Sequence, residues 1–131
     1  MADPKVAVSR LVESINAGTP TAHLDELYSE DAEFVRPGLR VIGRQAYAEY
    51  LKKLMAVFPD ARLNIKHLIG EGEIVAAEWE FTGSAKGKSI VFDAMTITTV
   101  EDGKITSMHE YFDPAEARAQ LGPSVPRDAA R

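Results

Sequence analysis

Four residues that could carry acid–base chemistry stand close together late in the chain, where two β-strands are predicted. They are Asp93, His109, Tyr111 and Asp113. A carboxylate inside an apolar strand is costly unless it is paired, protonated or solvated in a pocket. Two carboxylates beside an imidazole can raise the pKa of one member, which makes a general acid near neutral pH. The grouping predicts a proton-transfer site.

The turn at residues 101–103 decides how these residues face one another. Its sequence, Glu-Asp-Gly, favours a three-residue hairpin loop, because glycine readily takes the positive φ needed at the last position. In that register Tyr111 lies opposite Asp93. Asp93 is then diagonal to both His109 and Asp113. We expect this face to point inward, with Asp93 at the centre of the site.

The preceding hairpin, with a loop at residues 70–72, separates into two faces under the same rule. One face is apolar and includes Leu63, Ile65, His67, Ile69, Val75, Ala77, Trp79 and Phe81. The other carries Asn64, Lys66, Glu78 and Glu80. One apolar and one charged face is the pattern of a half-buried antiparallel sheet. His67 is therefore predicted to face the interior.

Helices are predicted in the first half of the chain and strands in the second. Amphipathic spacing predicts helices over residues 4–16 and 43–58, with a short helix between them that Thr21 would cap. A short strand closed by Pro37-Gly38 precedes the long third helix. The period then changes to two, and strands are predicted over residues 62–69, 74–83, 89–100 and 104–112.

The predicted architecture is an α+β domain spanning residues 1–122. About three N-terminal helices pack in a strongly curved, mostly antiparallel sheet, which leaves a conical cavity at its open end. A short helix follows at residues 114–122, with Asp113 as its N-cap and Gly122 as its end. Residues 123–131 are predicted to be a frayed tail.

Composition narrows the class of protein. The chain has 131 residues, a net charge of −5 and no cysteine. An acidic chain offers no basic surface for nucleic acid or acidic membranes, and the lack of cysteine removes thiolate chemistry and disulfides. No segment is apolar enough to predict a membrane span or a signal peptide, so a cytoplasmic protein is expected.

Further side chains are predicted to line the pocket, and no cofactor is expected. The substrate-binding candidates are Tyr111, Trp79, Met95, His67, Tyr28 and Tyr50. His109 and Glu110 together resemble part of a metal-binding motif. Neighbours on a strand face opposite ways, however, so no metal site is predicted.

The chain resembles the nuclear transport factor 2-like superfamily, and within it the SnoaL-like branch. A DGKI turn followed by a strand ending in Tyr-Phe-Asp-Pro is typical of that branch. The matching segments are residues 24–38, 43–60, 67–83 and 100–114. The resemblance implies an α+β cone, paired into homodimers through the outer face of its sheet.

The resemblance also implies roles for individual residues. Asp113 matches the acid–base Asp of the SnoaL-like cyclases, and Asp93 and Asp113 together match the two carboxylates of the limonene-type epoxide hydrolases. Val91 stands where those hydrolases have a bridging Arg. Arg36 stands where ketosteroid isomerase has its base, and Asp93 roughly matches that enzyme's oxyanion-hole Asp.

Together, these patterns predict a small enzyme without a cofactor that acts on an apolar, oxygenated small molecule. Asp113 would be the general acid or base, while Asp93 and His109 would tune it or polarise a carbonyl. Two alternatives remain open. One is epoxide opening by carboxylate-activated water, and the other is a non-catalytic module for ligand binding or dimerisation.

Overall fold

The computed structural model describes residues 3–121, so the predicted helix end at Gly122 and the predicted tail lie outside the described residues. The helices are α1 (Pro4–Asn16), α2 (Leu24–Leu27), α3 (Arg44–Val57) and α4 (Pro114–Leu121). The strands are β1 (Tyr28–Arg36), β2 (Leu39–Ile42), β3 (Arg62–Glu71), β4 (Ile74–Ala85), β5 (Lys88–Glu101) and β6 (Lys104–Tyr111). Between residues 3 and 121, no helix is long and apolar enough to cross a bilayer.

The strands form one curved, unclosed sheet in the order β2-β1-β6-β5-β4-β3. The β1–β6 pair is parallel, and the other neighbouring pairs are antiparallel. Helix α1 packs on β3, β4 and β5, and α3 packs on β1 and β2, so both helices cover the same inner face. The predicted α+β fold is confirmed. The short strand β2 was missed by the sequence prediction.

The two long helices begin and end close to their predicted positions. Asp3 caps α1, accepting a hydrogen bond from the Lys5 backbone N–H at 3.0 Å, and Pro4 occupies the first turn. Helix α3 buries Tyr47, Ala48 and Leu51. The prediction for the short second helix was wrong in detail. His23, not Thr21, precedes that helix, and Tyr28 already belongs to β1.

The hairpin loops contain two residues, so the prediction of three was wrong. Glu101 pairs with Lys104, and the residues between them, Asp102 and Gly103, have φ of 52° and 79°. Positive φ at both central positions gives a turn whose twist matches that of the strands, and Asp-Gly suits it. In the first hairpin Glu71 likewise pairs with Ile74.

An irregularity in each of these hairpins changes which side chains face the interior. In β3 the register shifts between Ile65 and His67, which turns His67 and Ile69 outward although both were predicted to face inward. In β6 a shift opposite Thr99 and Val100 sets Met95 against Tyr111. A bulge adds one residue to one strand and so reverses the alternation beyond it.

Helix α4 closes one end of the sheet. Asp113 caps it as predicted, since its Oδ1 accepts a hydrogen bond from the Ala115 N–H at 2.9 Å. The other end of the helix is tied to β5 by the Gln120 side chain. Its Oε1 accepts from the Val91 N–H at 2.7 Å, and its Nε2 donates to the Val91 carbonyl at 2.8 Å.

Candidate active site

The residues predicted to be catalytic lie on the outer face of the sheet. Asp93 is 63% exposed and accepts a hydrogen bond from Lys66 Nζ at 2.7 Å. His109 Nε2 lies 3.7 Å from a carboxylate oxygen of Glu33. Asp113 is exposed and caps α4. The predicted inward orientation of Asp93 and His109 was wrong, because the more apolar alternate residues of β5 and β6 occupy the interior instead.

The predicted register was also wrong, and the observed register separates Asp93 by four residues along β5 from the residue opposite His109. Met95 was expected opposite His109 and Asp93 opposite Tyr111, but Met95 pairs with Tyr111 and Ile97 pairs with His109. Since the difference is two residues, the same side chains still share one face. That face points to solvent.

The predicted substrate-binding residues divide between the two faces. Trp79 and Tyr50 line the interior pocket, and Tyr28 is buried with its ring centroid 5.2 Å from that of Tyr47. The other three were predicted to face inward and face outward instead. Tyr111, Met95 and His67 line a shallow depression on the outer face, which Asp93 also borders.

The interior pocket lies between the inner face of the sheet and helices α1 and α3. Its internal space is about 80 Å³. The walls are mainly aliphatic and aromatic, and include Leu11, Phe34, Leu51, Phe58, Trp79, Phe81, Phe92 and Met108. Two side chains of opposite charge also line the pocket, Arg36 and Glu110. Small-molecule sites are typically apolar pockets that contain a small number of polar groups.

Glu110 is the acidic group of the pocket. It lies on β6 between Met108 and Phe112, which also line the pocket, so the alternation of the strand directs all three inward. Burial raises the pKa of Glu110 from 4.5 to about 7, and the positive charge of Arg36 partly offsets that rise. Both forms of the carboxyl group are therefore populated near neutral pH, as a general acid–base catalyst requires.

Arg36 is held beside Glu110 by the parallel pairing of β1 with β6. Val35 is in register with His109, and the same register continued by one residue sets Arg36 next to Glu110. The guanidinium carbon of Arg36 lies 5.3 Å from the centroid of the Tyr50 ring and 5.6 Å from that of Phe112. Contacts with aromatic rings help to fix the orientation of a buried guanidinium.

Tyrosine side chains surround the same part of the pocket. Burial raises the pKa of Tyr47 and of Tyr50, and the negative charge of Glu110 adds to both rises. Their rings stack with centroids 5.9 Å apart. Both therefore remain neutral hydroxyls, and the influence of Glu110 on each indicates that they lie near its carboxyl group.

The sequence interpretation missed Glu110 and Arg36 as site residues, although signals for both were present. Met108, Glu110 and Phe112 alternate along the predicted strand at residues 104–112, so taking the two apolar residues as the inner face would have placed Glu110 inside. Arg36 stands at the position matched to a catalytic base in ketosteroid isomerase. Within residues 3–121, no three His, Cys, Asp or Glu side chains are grouped as a metal site would need.

Residues 8–108 match the family described as the SnoaL-like domain. The match covers most of the chain, and the fold agrees with it, so the chain belongs to the SnoaL-like family. The resemblance read from the sequence is thereby confirmed. No curated protein shows significant sequence similarity to the chain.

Solved structures of this fold are similar to the chain over nearly its whole length. A proposed polyketide cyclase from Xanthomonas campestris pv. campestris is 28% identical, with a TM-score of 0.75 over 91% of this chain and 96% of that one. IdmH, a proposed polyketide cyclase from Streptomyces antibioticus, is 22% identical, with a TM-score of 0.80 over 92% and 99%. An LEH-like epoxide hydrolase from M. tuberculosis is 19% identical, with a TM-score of 0.78 over 90% and 88%.

Proposed function

We propose that this protein is an acid–base enzyme acting on a small, apolar, oxygenated molecule, with Glu110 as the proton-transferring group and Arg36 as its electrostatic partner. One observation carries the proposal. A carboxyl group whose pKa is about 7 lines a mainly apolar pocket together with a buried arginine. A group with that pKa can both take and return a proton near pH 7.

The reaction that suits this pair best is proton abstraction next to a carbonyl. The Glu110 carboxylate would take the proton from carbon, and the electron pair would move onto the carbonyl oxygen to form an enolate. Arg36 would stabilise the negative charge on that oxygen, where a charged donor in an apolar site is most effective. The enolate would then be reprotonated at carbon or attack a second carbonyl, as in an aldol cyclisation.

The family supports this reaction class. The Xanthomonas and Streptomyces relatives are described as proposed polyketide cyclases, and cyclisation through an enolate uses the chemistry that Glu110 and Arg36 offer.

A second reaction, epoxide opening, would need the Glu110 carboxylate to activate water. It is favoured by the presence of a carboxyl group and an arginine in one pocket and by the likeness of fold to an epoxide hydrolase. The two reactions can be distinguished by testing whether the enzyme converts a ketone or an epoxide.

The measurement that tests the proposal is deuterium exchange at the carbon beside the carbonyl of small aromatic ketones, followed by NMR in D₂O. Glu110→Gln should lower the exchange rate at least about a hundredfold, because it keeps the shape and removes the base. Asp93→Asn is the matched control, since it makes the same chemical change on an exposed residue and should leave the rate unchanged. Equal rates in wild type and Glu110→Gln would contradict the assignment, and a non-catalytic binding module would then be favoured.

We also propose that a second copy of the chain covers the outer face of the sheet. Large apolar side chains stand exposed there, with Ile69 at 63%, Tyr111 at 58% and Met95 at 42% exposure. Exposed apolar patches of this kind mark interaction surfaces, and closed twofold pairing is the commonest form of self-association. Sedimentation equilibrium should give a dimer, and Tyr111→Glu should shift it toward the monomer. A wild-type monomer at micromolar concentration would contradict this.

A further inference from the structure

A second depression adjoins the interior pocket on the side of β2 and α3. It is open to solvent and has a volume of about 720 Å³, and we call it the entrance groove. It is lined mainly by residues of β2 and α3 together with Arg36, among them Arg40, Glu49, Tyr50, Lys53 and Leu54. Arg36, Tyr50 and Leu54 line both the groove and the interior pocket. The two spaces therefore meet at the residues that surround the proposed catalytic pair.

The entrance groove is cationic although the protein as a whole is acidic. Arg36, Arg40 and Lys53 line it, whereas the net charge of the chain is −5. Glu49 also lines the groove, but its Oε1 accepts from Lys52 Nζ at 3.3 Å, which partly neutralises it. Arg40 forms an ion pair with Glu33. Lys53 is thus the exposed cation best placed to meet a ligand.

The position of Lys53 links it to the pocket. It lies three residues after Tyr50 on α3, so the two side chains project from neighbouring turns of one side of the helix. Tyr50 in turn contacts the Arg36 guanidinium, at 5.3 Å from ring centroid to Cζ. A molecule with one end beside Glu110 could pass these two residues and place its other end at Lys53.

We infer that the entrance groove binds the anionic end, a carboxylate or phosphate, of a substrate whose apolar part reaches the pocket beside Glu110. This rests on the proposed function. The charges favour this orientation over the reverse, because an anion placed beside Glu110 would be repelled once that carboxyl group ionises. Attraction by an exposed lysine is modest and weakened by salt, so it contributes to selection and to association rate more than to tight binding.

A matched pair of small probes tests the inference. 3-Phenylpropanoate and 3-phenylpropanamide have nearly the same size and differ in charge, and their binding can be followed by NMR titration at low salt. We expect the acid to bind wild type about fivefold more tightly than the amide, an advantage that added salt should reduce. A third probe, 2-phenylethyl phosphate, shows which anion is preferred. Preference for either anion over the amide supports the inference.

Two charge-removing variants locate the effect. Lys53→Gln removes a groove cation, and Lys104→Gln removes an equal charge from an exposed residue at the start of β6 that lines neither the groove nor the pocket. The preference for the acid should fall to near unity in Lys53→Gln and persist in Lys104→Gln. Equal loss in both variants would reduce the effect to net charge, and an unchanged preference in Lys53→Gln would place the anion elsewhere. Either result overturns the inference.

The outcomes also separate this inference from the proposed function. If the amide binds wild type as tightly as both anions, the groove inference fails while the pocket remains a binding site. If none of the probes binds, the groove inference fails, and ketone exchange in Glu110→Gln still decides the catalytic assignment. If the acid is preferred through Lys53 but Glu110→Gln exchanges deuterium as fast as wild type, the groove stands and the catalytic assignment falls.

Discussion

The two faces of β5 carry hydrogen bonds of the same length in opposite surroundings. On the inner face, Trp79 Nε1 donates to Thr96 Oγ1 at 2.7 Å, and both residues are buried. On the outer face, Lys66 Nζ donates to Asp93 Oδ1 at 2.7 Å, with side chains 40% and 63% exposed. The inner bond is shielded from bulk solvent, whereas the outer one competes with water.

The same contrast separates the ionisable residues of the outer face from Glu110, the proposed catalytic group. The outer face holds more ionisable side chains, and they are solvated or paired at the surface, as Asp93 and His67 are. The inner face holds Glu110, and there burial moves the pKa to about 7. The number of ionisable groups on a face therefore does not identify the face with a perturbed pKa, since it is desolvation that shifts the pKa of a carboxyl group.

The largest effect that would test this contrast is the dependence of stability on pH. The pKa of Glu110 is about 7 in the folded protein against an ordinary 4.5, so its contribution to stability is complete below about pH 4.5 and is lost as the pH rises through 7. The difference corresponds to about 3 kcal/mol.

Urea unfolding of wild type and Glu110→Gln from pH 4 to 8 measures this contribution as the difference between the two curves. The subtraction is needed because an acid with a lowered pKa makes stability rise with pH, which opposes the effect of Glu110. Asp60 is such an acid, since hydrogen bonds from Ser84 lower its pKa. If the difference in unfolding free energy stays constant across this range, Glu110 titrates normally, and the two faces do not differ in the way described.

A smaller effect is expected from breaking the inner hydrogen bond. Thr96→Val keeps the shape and removes the acceptor, which leaves the buried Trp79 N–H without that partner and should cost about 1–3 kcal/mol. Asp93→Asn weakens the outer bond and should change stability by less than about 0.5 kcal/mol. The midpoint of urea unfolding compares them, and equal losses would show that surroundings do not distinguish these two bonds.

The smallest change in stability is expected at Asp113, which was predicted to be catalytic and caps α4 in the structure. Asp113→Ala removes the acceptor of the Ala115 N–H at 2.9 Å and should cost about 1 kcal/mol. Asp113→Asn keeps a capping oxygen and should restore most of that stability. Ketone exchange should stay near the wild-type rate in both, and a large loss in Asp113→Asn would return Asp113 to the catalytic role.

Periodicity was sufficient to predict most helices and strands, because long amphipathic segments determine them. Helix α3 and the segments of β3–β6 appear where apolar spacing placed them. Strand β2, with four residues, is too short to show a period. The parallel neighbour of β6 is β1, which lies far away in the sequence, so no local pattern indicates that pairing.

The candidate site was harder to predict, because its residues depend on single-residue details. Loops of two residues, together with the bulges, set the register, and in β3 the one-residue shift exchanged the face of His67. Asp93 was predicted to be catalytic because it is a charged residue within an apolar strand. In the structure its side chain faces solvent and accepts a hydrogen bond from Lys66. Glu110 was overlooked because its inward orientation follows from the apolar residues on both sides of it.

The Gln120 contact with Val91 also protects the sheet. The pairing of β5 with β6 runs from Met95 to Glu101, so among the described strands residues 88–94 pair on one side alone, with β4. An open strand edge is a template for pairing with another chain. The Gln120 amide engages both the N–H and the carbonyl of Val91, as a neighbouring strand would. One side chain thus occupies the place where aggregation through β-strand addition would begin.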